Sequence, residues 1–143
     1  MKKSNGEDRK NMTIYVCLDD KNGMLFNGRR QSRDARVLED IAKGLPGVLT
    51  IDPFSEKLVA AAQIPYGLAG DTPDRECHFF LENRDPDTLL SMADCLVIYR
   101  WNRHYPGDTR WNADPEALGF HLAETTEFPG KSHEKITKEV YVR

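Results

Sequence analysis

The sequence predicts an α/β domain built on a mixed, mostly parallel β-sheet that ends in an antiparallel hairpin. Three observations predict it. Residues 13–18 (TIYVCL), 48–51 (VLTI), 77–81 (CHFFL) and 95–101 (CLVIYRW) are short apolar runs of strand length, the pattern of strands buried on both faces. Segments with helical spacing and helix-capping residues lie between them. The last two runs, 119–128 and 135–142, alternate and are joined by a short link containing Pro129-Gly130, as in a hairpin.

Taken in order, residues 1–11 are polar, charged and aperiodic, and read as a disordered tail ahead of one domain over residues 12–143. The first strand is closed by a turn at Asp19-Asp20-Lys21-Asn22-Gly23. Residues 24–33 read as irregular and basic. Ser32 or Asp34 can cap a helix over residues 35–43, with Val37, Leu38, Ile41 and Leu45 on one face and Gly44 as its stop. Pro53 suits the start of a second helix continued by Leu58, Val59 and Ala62. Residues 63–75 hold two prolines and two glycines and read as a loop. Asp85-Pro86 opens a short helix through Met92.

Composition narrows the function classes. The chain has 143 residues, enough for one core, with 39% hydrophobic and 30% charged residues. A net charge of −3 gives no general attraction to nucleic acid or anionic lipid. No run approaches the roughly eighteen apolar residues of a membrane span, and the N-terminus lacks the apolar segment of a signal peptide. Cys17, Cys77 and Cys95 sit in apolar runs without metal-ligand spacing, so they read as buried free thiols in a reducing, cytoplasmic setting.

Several segments carry a family resemblance. They are Ala93-Asp94-Cys95-Leu96-Val97-Ile98-Tyr99, Pro106-Gly107-Asp108-Thr109-Arg110-Trp111, residues 122–128 (LAETTEF) and the ending Glu139-Val140-Tyr141-Val142-Arg143. In order and spacing they resemble the C-terminal half of dihydrofolate reductase. The N-terminal half is similar more loosely, through Asp19 to Met24 and Leu45 to Leu58. The resemblance implies a three-layer α/β fold and, for a working member, hydride transfer from NADPH to a dihydropterin. The chain also looks like short bacterial proteins sometimes labelled ribonuclease Z, but the metal signature that label requires is absent here.

The resemblance assigns roles residue by residue. The family's one catalytic carboxylate falls close to Asp34, and Tyr99 lies near the threonine that partners it. Asp34 has a second reading as a helix cap or first-turn acid. On the cofactor side the family's Gly-Gly phosphate site corresponds to Phe80-Leu81-Glu82-Asn83-Arg84-Asp85-Pro86, which has no glycine and two flanking carboxylates. The family's Arg-x-Thr turn corresponds to Asp52-Pro53-Phe54-Ser55, with an acid in place of arginine. The stretch over residues 60–75 is shorter than in the family and has no clear strand.

Two basic clusters stand out. Arg29, Arg30, Arg33 and Arg36 place four arginines in eight residues, and guanidinium forks suit phosphate or carboxylate. A solvated surface loop is the bland alternative. Arg100-Trp101-Asn102-Arg103-His104-Tyr105 mixes cations with aromatics, as single-strand nucleic-acid sites do, or marks a strand end with surface aromatics. His104 has no carboxylate that the sequence can place beside it. Together these features favour a non-reductase that binds a small anionic ligand or a protein partner, with no cofactor and no metal. The alternative is a reductase of dihydrofolate or a related pterin with a rebuilt NADPH site. An RNA-processing role ranks below both.

Overall fold

The computed structural model of the chain describes residues 12–71, 73, 74, 76–112 and 114–143. The tail expected over residues 1–11 lies outside them. The elements run β1 (Met12–Leu18), β2 (Gly23–Phe26), β3 (Arg29–Arg30), α1 (Ala35–Lys43) and β4 (Leu49–Ile51). A 3-10 turn (Pro53–Ser55), α2 (Glu56–Ala61), β5 (Tyr66–Leu68), β6 (Cys77–Leu81) and α3 (Pro86–Met92) follow. The chain closes with β7 (Cys95–Arg100), β8 (Thr109–Arg110), β9 (His121–Phe128) and β10 (Ile136–Val142).

Seven strands form the main sheet in the order β5-β4-β6-β1-β7-β10-β9. The pairs β4/β5, β4/β6, β1/β6 and β1/β7 are parallel, whereas β10 runs antiparallel to both β7 and β9. The terminal hairpin thus joins the main sheet, as the alternating pattern predicts. Side chains alternate across β1 and divide the core into two. Ile14, Val16 and Leu18 pack with Phe79, Leu81, Leu96, Leu89 and Leu90 of α3 on one face. Tyr15 packs with Val37, Leu38 and Ile41 of α1, and with Val59 of α2, on the other. Helices therefore cover both faces, which gives the expected three layers.

The helix caps follow the sequence closely. Asp34 is the N-cap of α1, and its carboxylate accepts from the Arg36 N–H at 2.9 Å. Asp85 caps α3 in the same way, accepting from the Asp87 N–H at 3.2 Å. Arg143 donates to the Leu90 and Ala93 carbonyls at 2.6 and 2.7 Å, satisfying the last turn of α3.

Four expectations need correction. Residues 66–68 form edge strand β5 inside the segment read as a loop, because three residues are too few to show periodicity. The basic stretch 24–33 is not irregular: β2 and β3 form a hairpin about Asn27 (φ 53°) and Gly28 (φ 71°), and β8 pairs on the other side of β2. Both left-handed residues suit a tight hairpin turn, which Asn-Gly makes at low cost. The helix expected from Pro53 opens as a 3-10 turn before α2. The three cysteines are free, but half-buried rather than buried. Burial still pushes all three thiols up, so they stay protonated and weakly nucleophilic.

Candidate functional site

Four chain segments leave the parallel strands at their C-terminal ends and meet there. Asp19 follows β1, Asp52 follows β4, Glu82 follows β6 and Trp101 follows β7. In open α/β sheets this end is where ligands bind. Asp19 is buried and acts as a local anchor. It accepts from the Gly23, Lys21 and Tyr105 N–H groups at 2.7, 2.9 and 3.1 Å, and from Gln31 Nε2 at 3.2 Å. Burial raises the affinity of its carboxyl for a proton, and these bonds more than offset it, so its pKa falls.

The acids that the resemblance sets against the family's phosphate sites are already engaged. Glu82 takes a bidentate fork from Arg30 at 2.7 and 2.8 Å and a hydrogen bond from the Ser55 hydroxyl at 2.6 Å. The Arg30 guanidinium lies 5.1 Å over the Phe54 ring. Asp52 takes a matching fork from Arg84 at 2.6 and 3.1 Å, and Arg84 also donates to the Gly70 and Asp71 carbonyls. Asp85 is occupied as a helix cap. These are closed ion pairs within the chain, and such residues do not fit a nucleotide diphosphate.

The arginine-rich segment borders an open groove of about 630 Å³, lined by Gly28, Arg29, Arg30, Ser32, Arg33, Phe54 and Ser132. Arg29 and Arg33 are exposed and form no ion pair among the described residues. Arg36 does not line this groove; it faces Glu39 at 3.6 Å and lies 5.9 Å over Phe128.

Asp34 and Tyr99 are held by different partners. Asp34 is buried under the loop between β9 and β10. Its Oδ1 accepts from the Lys131 N–H at 2.9 Å. Its Oδ2 accepts from the Ser132 N–H and His133 Nδ1, each at 2.9 Å. Burial works to raise its pKa, but the Lys131, His133, Ser132 and Arg36 hydrogen bonds together hold the carboxyl well below the usual carboxylate range. Tyr99 donates to Asp40 of α1 at 2.6 Å, and Lys138 reaches the same carboxylate oxygen at 2.8 Å. Burial and that acid push the Tyr99 phenol strongly up. Asp34 and Tyr99, the two candidate catalytic residues, thus hydrogen-bond to different partners and not to each other.

The second basic cluster is not an exposed stacking platform. Arg100 pairs with Glu139 at 3.0 Å, and Trp101 is buried against the His133 ring with centroids 4.5 Å apart. His104 is exposed.

His133 is the residue that sequence reasoning missed. It is buried, with Nδ1 on Asp34 and Nε2 at 3.0 Å from the Ser32 hydroxyl and 2.9 Å from the Tyr105 hydroxyl. An ionised Asp34 only accepts, so Nδ1 carries a proton, and in the neutral imidazole Nε2 is then the acceptor that faces the two hydroxyls. Ser32 in turn lines the arginine groove. Nothing local marks His133, because its partners Asp34 and Ser32 are 99 and 101 residues away. Among the described residues no cluster of three or more His, Cys, Asp or Glu could hold a metal, and no helix is long and apolar enough to cross a membrane.

The sequence matches no protein-family model and no curated protein. The fold does have a counterpart among solved structures. The chain is similar to a dihydrofolate reductase from Enterococcus faecalis complexed with NADP(H) and RAB-propyl, with a TM-score of 0.67 and 12% identity. The match covers 93% of this chain and 96% of that one. The fold is therefore dihydrofolate reductase-like, as the C-terminal motifs imply, and at this identity the likeness concerns the fold alone.

Proposed function

We propose that this chain is a non-reductase that binds a small anionic ligand in the groove beside β3, and that it does so without NADPH. One observation carries the reading: Arg29 and Arg33 line the groove with no ion-pair partner among the described residues, while the nearby acids Glu82, Asp52 and Asp34 are engaged elsewhere. Two uncompensated guanidinium groups beside the Phe54 ring suit a carboxylate or phosphate carried on a small apolar body. The groove's volume is that of a small-molecule site. The function is cytoplasmic in this reading, and a protein partner presenting an acidic side chain would use the same arginines.

Calorimetric titration with succinate and with inorganic phosphate tests the reading. Each charge-assisted contact is worth about 1.5–3 kcal/mol. The Arg29→Ala/Arg33→Ala double variant should therefore lose about a hundredfold or more in affinity while melting as the parent does. Equal affinity in parent and double variant would sink it.

A reductase role is the second reading, supported by the complex of the similar reductase with NADP(H). It makes the opposite forecast for a thermal melt. A cofactor at one hundred times its Kd adds about 2.7 kcal/mol, a rise of several degrees. With Glu82 and Asp52 at the phosphate positions, millimolar NADPH is expected to leave the melting temperature unchanged. A clear rise, with dihydrofolate-dependent NADPH oxidation, would favour the reductase.

A further inference from the structure

The geometry points to Ser32, His133 and Asp34 as a nucleophile, general base and orienting acid that hydrolyse a carboxylic ester carrying a second, anionic group. This rests on the anion-binding reading above, since it places the reacting bond in the same groove.

The three side chains stand in the required order. Asp34 Oδ2 is 2.9 Å from His133 Nδ1, and His133 Nε2 is 3.0 Å from Ser32 Oγ. A base within hydrogen-bond reach of a hydroxyl, and itself oriented by a third group, is the arrangement that activates serine. The His133 ring cannot turn away: it is stacked at 17° on Trp101 and meets Tyr105 edge-on. Asp34 is fixed by the Lys131 and Ser132 N–H groups and does not line the groove, so it acts as a positioning residue. A fixed carboxylate on a fixed imidazole is more than a helix cap needs; Arg36 N–H alone satisfies that role.

Space and charge are in place on the groove side. Ser32 and Arg33 line both the 630 Å³ groove and a second pocket of about 20 Å³ that also touches Asp34 and Trp101. That smaller volume suffices for one water molecule. Arg29 lines the groove four positions away from Asp34's neighbour Arg33 and suits the substrate's own anionic group, while Arg33, next to Ser32 in the chain, suits the oxygen that gains charge.

The step balances without an external oxidant or reductant. Ser32 Oγ attacks the ester carbonyl carbon, forming an O–C bond as its proton passes to His133 Nε2. The C–O bond to the alcohol breaks, and His133 returns that proton to the departing alkoxide. Water then attacks the acyl-serine, giving its proton to Nε2. The Oγ–C bond breaks, the carboxylic acid leaves, and Ser32 recovers its proton. Tyr105 competes for Nε2 from 2.9 Å, so it lowers the share of molecules in which Ser32 is the bound donor.

The full chain is treated with a neutral fluorophosphonate probe and, separately, assayed on 4-nitrophenyl acetate and mono-4-nitrophenyl succinate. Labelling at Ser32 by peptide mass spectrometry is expected, as is a kcat/KM at least tenfold higher for the anionic ester. Ser32→Ala should abolish both. His133→Gln should lower kcat by about a hundredfold or more. Tyr105→Phe should raise the labelling rate severalfold. Asp34→Asn, assayed well below its melting temperature, should lower kcat with KM unchanged, whereas loss of a merely structural acid would leave the kcat of the folded enzyme intact.

An unlabelled parent with no ester turnover overturns the inference. The two readings fail separately. If the parent is unlabelled yet Ser32→Ala binds succinate, the serine chemistry is wrong and the anion site stands. If Ser32 is labelled but succinate does not bind, the anion site is wrong and the serine chemistry stands without its substrate preference.

Discussion

Asp34→Ala is expected to cost about 3–5 kcal/mol of stability and to lower the melting temperature by about 10–20 °C. The substitution strands the Lys131 and Ser132 N–H groups, the Arg36 N–H and His133 Nδ1, each of which donates to that carboxylate at 2.9 Å. Each buried donor left without an acceptor costs about 1–3 kcal/mol, and relaxation of the exposed loop returns part of the sum. The pH dependence has a definite sign. The folded pKa of Asp34 is depressed by the hydrogen bonds that overcome its burial, so its contribution is full above the unfolded value of 3.8. It fades as the pH falls through that value toward the folded one. Asp34→Asn, measured by denaturant titration between pH 3 and 7, should flatten that acid limb. An unchanged slope would mean that another carboxylate governs it.

Glu82→Ala should move two observables in opposite directions. Removing the acid leaves the Arg30 guanidinium, only 23% exposed, without its partner, and leaves the Ser55 hydroxyl without an acceptor. Breaking such a pair from one side costs about 3–5 kcal/mol when fully buried, and about 2–3 here because water reaches Arg30. The released Arg30 then stands in the groove with Arg29 and Arg33. One further charge-assisted contact tightens succinate binding about tenfold. Melting and calorimetry on the same preparation check both. Lower stability with unchanged affinity would mean that Arg30 turns away from the groove.

Much of the architecture is legible because it rests on local rules. The helix from Asp34 to Gly44 is written in its cap, its stop and the buried positions Val37, Leu38 and Ile41. Strands β1 and β7 are legible because central parallel strands are apolar on both faces. The hairpin at Asn27-Gly28 was equally legible, since that dipeptide is the strongest short hairpin signal, but the surrounding arginines draw attention to charge instead. Strand β5 is set by pairing with β4 and carries no signal of its own. The site divides in the same way. The arginine cluster is contiguous and visible, whereas the Ser32–His133 contact spans 101 residues and depends on where one loop folds back.

The position of β10 between β7 and β9 has a consequence for the order of folding. Among the described residues β9 has no other neighbour, so it enters the sheet only when the later segment Ile136–Val142 has docked on β7. Such long-range closure is slow, because loop entropy is lost before any contact compensates it. The loop that carries His133 is tethered at both ends by this hairpin. The serine, histidine and aspartate therefore come together only once β10 has docked on β7, and chains folded short of that step carry all three residues without the site.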